Sequence, residues 1–109
     1  MPVTFDAVLV AALARELDSR LGNARLRAIR LDRAGRALSL LFREGTLRFA
    51  LHPEAGDVAW HDPIDPDPGD RPAAGRIKRV VAIADDRVLR LEILKSRGSP
   101  PTADVVVEW

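Results

Sequence analysis

Along the first part of the chain, Phe5, Val8, Leu9, Ala12, Leu13, Leu17 and Leu21 recur at three- and four-residue steps. That spacing puts one apolar stripe on a helix, with Arg15, Glu16, Asp18 and Arg20 on the other side. Thr4 is placed to cap it, because its hydroxyl accepts from a backbone N–H that has no partner in the first turn, and Asp6 complements the helix dipole there. Gly22 is the expected stop, in the left-handed conformation that follows a last helical turn. Beyond it the period changes to two, the mark of strands with one buried face. Arg25–Leu31 reads as a strand whose alternation slips at Ala28–Ile29, where a bulge is expected. Ala34–Gly35 makes a turn into Arg36–Arg43, which carries Leu38, Leu40 and Phe42 on one face. Glu44–Gly45 is a two-residue turn of the hairpin kind. Thr46–His52 follows, with Leu47, Phe49 and Leu51 inward and Arg48 and His52 outward.

Asp57–His61 reads as a short strand carrying Trp60. Residues 62–75, DPIDPDPGDRPAAG, hold four prolines and two glycines, a density at which no regular element is expected, because proline lacks the N–H and constrains its predecessor. The stretch Gly75–Ile93, GRIKRVVAIADDRVLRLEI, predicts a hairpin. Leu89, Leu91 and Ile93 alternate with Arg90 and Glu92, and the tip is Asp85–Asp86–Arg87. Arg97–Thr102 reads as a turn and Val105–Trp109 as a last strand with an open edge for a protein partner. The chain stops on it without a polar tail, as expected of a domain shortened relative to something longer. The order is α+β, one amphipathic helix packed on an antiparallel meander or sandwich, as a single domain over 1–109.

Composition narrows the function. The 109 residues are 47% hydrophobic and only 5% aromatic, so the core is aliphatic. Zero cysteines remove disulfide and thiol chemistry, and there is neither an 18-residue apolar run nor a basic leader. A cytoplasmic protein without a membrane span is expected. His52 and His61 lack further ligands at metal-site spacing, no glycine-rich phosphate loop occurs, and no serine has a histidine placed by spacing. No cofactor, metal or small-molecule substrate is expected. The net charge of +1 conceals a segregation: nine arginines against four acids over 15–48, six acids and no base over 54–70, and eight bases against three acids over 71–97. Two basic sheet segments facing a phosphate backbone, with the acidic loop clear of it, would account for that pattern.

Two resemblances extend this reading. Met-Pro, a long helix and then a β-sandwich is similar to the N-terminal domain of formamidopyrimidine-DNA glycosylases, which would make Pro2 an imine-forming amine, although Val3 stands where that family has glutamate. The closer likeness is to the NFACT-N domain. GRIKRVVAIADDRVLRLEI resembles that family's Gly-Arg-Ile strand, Asp-Arg tip and alternating strand. FDAVLVAALARELDSRL resembles its opening helix, GNARLRAIRL its following strand, and LRFALHP its strands ending before proline, in the same order over nearly the whole chain. The family, the N-terminal domain of RqcH and NEMF-type proteins (also called fibronectin-binding-protein-A-like), serves ribosome-associated quality control and template-free extension of stalled nascent chains. The resemblance implies a non-enzymatic domain whose partners are tRNA and the large ribosomal subunit. Asp86 and Arg87 match the pair implicated in tRNA recognition, and Arg25, Arg27, Arg30, Arg79 and Arg90 would be auxiliary phosphate contacts. The chain departs from the family at 62–75, where members carry a helix with a Leu-Arg-Lys-type motif.

Overall fold

The computed structural model describes residues 7–52, 56–83, 88–96 and 101–109. One helix, α1 (Ala7–Leu21), is followed by seven strands: β1 (Arg25–Asp32), β2 (Ala37–Phe42), β3 (Thr46–Ala50), β4 (Asp57–His61), β5 (Arg71–Ala82), β6 (Val88–Lys95) and β7 (Thr102–Glu108). They form one antiparallel sheet of order β4-β3-β2-β1-β5-β6-β7, so the fold is α+β with two meanders joined where β5 pairs with β1. The expected class and the helix-on-sheet arrangement are both present. No helix among the described residues is long and apolar enough to cross a membrane.

The helix buries Val10, Ala14, Leu17 and Leu21 against the inner face of the sheet, with Leu9 and Leu13 partly covered. The stripe is therefore rotated from the expected one: Val8 is 80% exposed, and Ala12 faces solvent. Small Ala14 sits in the contact because β5 lies directly beneath α1. The expected cap and first turn, Thr4 to Asp6, lie outside the described residues. At the other end the left-handed residue is Asn23 (φ 64°) rather than Gly22. Ala24 N–H donates to Leu21 O at 2.9 Å, closing the turn one residue later than expected. Asparagine tolerates this conformation because its short amide can bond locally.

Inward residues of both meanders complete the core: Leu26, Leu38, Leu40, Phe42, Leu47 and Phe49 from one, and Ile77, Val80, Leu89, Leu91, Ile93 and Val107 from the other. The sheet curls enough that Trp109 reaches β3, its ring edge-on to Phe49 at 5.8 Å and its indole N–H donating to Ala50 O at 3.1 Å. Two bulges break the alternation. On β1 the register slips between Leu26 and Ala28, so the extra residue is Arg27, earlier than the expected Ala28–Ile29. On β5 it slips between Ile77 and Arg79 at Lys78, which is why inward Ile77 is followed by inward Val80. The β2–β3 turn centres on Arg43–Glu44 rather than Glu44–Gly45, because Phe42 N–H closes onto Gly45 O at 2.9 Å.

The largest departure concerns 62–75. Its second part is the start of β5, so a regular element does survive there. Pro72 is tolerated because it is the second residue of that strand, opposite the β1 bulge and beyond Gly75↔Lys95, the last β5–β6 pair. Residues 62–70 fold back as a strap across the outer face of β1–β3. Thr46 Oγ1 donates to Asp62 O at 3.1 Å, and Arg30 grips Asp67 and Asp70. Under the strap Ala28, Ala37 and Leu41 are buried although they point away from the main core.

Candidate nucleic-acid interface

Because β5 and β6 pair as the predicted hairpin, the sequence places Asp86 and Arg87 between their ends. That tip, residues 84–87, lies outside the described residues, as does Pro2. The candidate interface is therefore built from the sheet, whose outer face carries seven of its arginines in two different settings: Arg27, Arg30, Arg79 and Arg90 in one, Arg25, Arg43 and Arg76 in the other.

Arg27, Arg30, Arg79 and Arg90 are engaged by acids of the same chain. Arg30 donates through Nε and Nη2 to both carboxylate oxygens of Asp70 at 2.7 Å, and through Nη2 to Asp67 at 3.1 Å. Asp70, whose side chain is only 5% exposed, is held down at about 2 by the Arg30 guanidinium and then by the Asp67 N–H. The same pairing raises Arg30. Arg79 forks onto Glu92, its cross-strand partner, and Arg90 reaches the same carboxylate at 3.2 Å. Glu92 is lowered, first by the Arg79 hydrogen bonds and further by the nearby positive charges. Cross-strand opposite charges of this kind stabilise a sheet. Arg27 reaches Asp65 only at 3.8 Å, an exposed contact of small worth. The expected auxiliary contacts Arg30, Arg79 and Arg90 thus already have anions in place.

Arg25 belongs to the other setting, with two residues the sequence did not single out. Arg25 lies directly opposite Arg76 on β5. On its other side Arg43 N–H donates to Arg25 O at 2.9 Å, continuing the β1–β2 ladder past Leu26↔Phe42. Since the neighbours Leu26, Phe42 and Ile77 all point into the core, the alternation sends Arg43, Arg25 and Arg76 to the outer face in one row. Neighbouring strands lie about 4.8 Å apart, so three guanidinium stems share a span of roughly 10 Å. Among the described residues none of the three has an acid within ion-pair distance. The Glu44 carboxylate instead accepts from the Arg25 backbone N–H, at 3.1 and 3.2 Å to its two oxygens.

These arginines and Arg27 surround a depression of about 610 Å³, completed by Leu26, Ala74, Gly75 and Ser96. Its floor is low because Ala74, Gly75 and Ser96 are small. Arg27 joins the rim because the β1 bulge inserts it there. Arg43 and Arg76 were not singled out in the sequence, because putting them beside Arg25 needs the register. Among the described residues no group of histidines and carboxylates is arranged to hold a metal ion. No protein-family model, no curated protein and no solved structure matches the chain.

Proposed function

We propose that this is a non-catalytic RNA-binding domain that engages tRNA and the large ribosomal subunit through the outer face of its sheet, as part of ribosome-associated quality control. The observation that carries the RNA-binding reading is the row Arg43–Arg25–Arg76. Like charges directly opposite each other on adjacent strands destabilise a sheet. Elsewhere on the same face Arg30, Arg79 and Arg90 are paired with Asp67, Asp70 and Glu92, whereas no acid among the described residues pairs with any of the three arginines that stand side by side here. A polyanion supplies the missing counter-charge, and arginine forks match phosphate oxygens in pairs. The identity of the RNA rests on the NFACT-N resemblance, in which Asp86 and Arg87 add base or phosphate recognition at the hairpin tip.

The test is fluorescence anisotropy with tRNA at several salt concentrations, for the unaltered chain and for Arg76→Gln and Arg87→Ala. Affinity should fall with salt, and each variant should bind more weakly with a slope reduced by about 0.7–0.9, the value of one lost phosphate contact. A salt-independent affinity, or two variants indistinguishable from the parent, refutes the assignment.

A further inference from the structure

We propose that the depression walled by Arg25, Arg27, Arg43 and Arg76 takes a terminal phosphate of an RNA strand, a phosphomonoester, rather than an internal diester. This inference rests on the reading of the outer face as an RNA-binding surface and names the group that surface selects.

Charge and shape both point there. A strand running across a basic surface offers one negative charge per phosphate, so the cations that serve it are spread along its path. Here four arginines converge on a single depression. A phosphomonoester carries about −1.5 to −2 at neutral pH and exposes three acceptor oxygens, whereas a diester exposes two and carries −1. The group with the higher charge and the additional acceptor is the better match to several bidentate donors around one point.

The floor permits close approach. Ala74 and Ser96 flank the hollow where Ser96 N–H bonds Ala74 O, and Gly75 lies beside them, so no long side chain stands between the arginines and the sheet. The Ser96 hydroxyl adds a neutral donor at the base. The hollow is in the size range of nucleotide-scale sites, which leaves room for the terminal sugar as well as its phosphate.

The side chains can turn to a ligand without breaking strong bonds. Arg25, Arg43 and Arg76 have no acid to leave among the described residues, and the Arg27 contact with Asp65 is long and solvent-exposed. The Glu44 carboxylate is held by the Arg25 backbone N–H, at 3.2 and 3.1 Å to its two oxygens, and forms no ion pair with these guanidinium groups.

The experiment uses the 109-residue chain and a short single-stranded RNA with a 3′ fluorophore, prepared with a 5′-phosphate or a 5′-hydroxyl. Anisotropy titrations should show the phosphorylated strand binding about tenfold more tightly, the size of one additional charge-assisted hydrogen bond. In Arg76→Gln and Arg43→Gln that ratio should fall towards one. Urea midpoints at or above the parent's would show that the variants are folded, since removing a like charge relieves the row. Equal affinity for the two strands overturns the inference while leaving the RNA-binding reading standing; no binding of either strand overturns both. Adenosine 5′-monophosphate competing as well as the phosphorylated strand overturns the strand-end assignment in favour of a free nucleotide.

Discussion

Asp18 is an acid in the last turn of a helix, where the dipole disfavours it by about 0.3–1 kcal/mol. The structure gives the compensation. β1 pairs with β5 only as far as Arg25↔Arg76, so the β5 backbone beyond it is uncovered on that side. The linker after α1 takes the next groups: Ile77 N–H donates to Ala24 O at 3.0 Å, and Asn23 N–H to Ile77 O at 3.2 Å. After the Lys78 bulge, Val80 N–H donates to Asp18 Oδ1 at 2.7 Å. Asp18 thus replaces a missing strand. Arg79 also senses its charge, but less than that of Glu92, to which its guanidinium is bonded. Replacing Asp18 by Ala leaves the half-buried Val80 N–H without its acceptor, at a cost of about 1–3 kcal/mol. Relief of the dipole conflict offsets part of this, for a net loss of about 1 kcal/mol, which lowers Tm by about 5 °C in a domain of this size. Asp18→Asn keeps a carbonyl oxygen in place and sheds the unfavourable charge, so it should stay close to the parent. Urea unfolding monitored by circular dichroism gives the stabilities, and amide exchange at Val80 reads the bond itself. An Asp18→Ala variant as stable as the parent, or with Val80 exchange unchanged, would refute the reasoning.

Three further outcomes are expected. Asp70 is depressed from 3.8 to about 2 in the folded chain, by Arg30 first; its contribution to stability is therefore complete above about pH 4 and is lost as pH falls towards 2. Asp70→Asn should lower stability at pH 6 and lose less of it between pH 4 and pH 2 than the parent; parallel stability–pH curves for the two proteins would contradict the clasp. Gly22→Ala should stabilise by about 0.4–1 kcal/mol in thermal unfolding, because an added Cβ meets only Asp18 O, at 3.7 Å, and the left-handed residue is Asn23; a loss of stability would return the helix stop to Gly22. Gly75→Ala should cost about 1–3 kcal/mol, since its Cβ would come within 2.5 Å of Ile93 Cγ2 and 2.8 Å of Leu94 O, a backbone atom. A urea midpoint equal to the parent's would show that the sheet yields there.

Most of the architecture was legible because period-two alternation survives in β2, β3, β6 and β7, where inward Leu, Phe and Val positions need no knowledge of the partner. What was missed has particular causes. The helix stripe was misplaced by about a third of a turn because Val8 and Val10 are equally apolar in sequence, and only the close approach of β5 selects Val10 and Ala14. The start of β5 was hidden by Pro72, whose missing N–H argues against a central strand until the end of the β6 pairing is known. Segregated charge along the chain pointed to an acidic loop standing clear of two basic segments. In space the loop lies across one of them, because Arg30 can reach both Asp67 and Asp70 only if the strap folds back over β1.

That reversal also fixes where an unpaired basic face can be. A basic segment is not a basic face: each arginine inherits its setting from strand register, and register in this sheet is set by two bulges. The β1 bulge admits Arg27 to the outer rim while keeping Leu26 and Ile29 on the core side. The β5 bulge at Lys78 does the same for Ile77 and Val80 and aligns Arg79 with Glu92, neutralising it. Between the two bulges the alternation is regular, and it is there that Arg25 and Arg76 face each other. A one-residue slip in either strand would place one member of that pair in the core, where an unpaired guanidinium is far too costly. The same hydrophobic positions that fix the fold therefore fix the arginine row, and its like-charge strain persists because relieving it by a slip would dismantle the core.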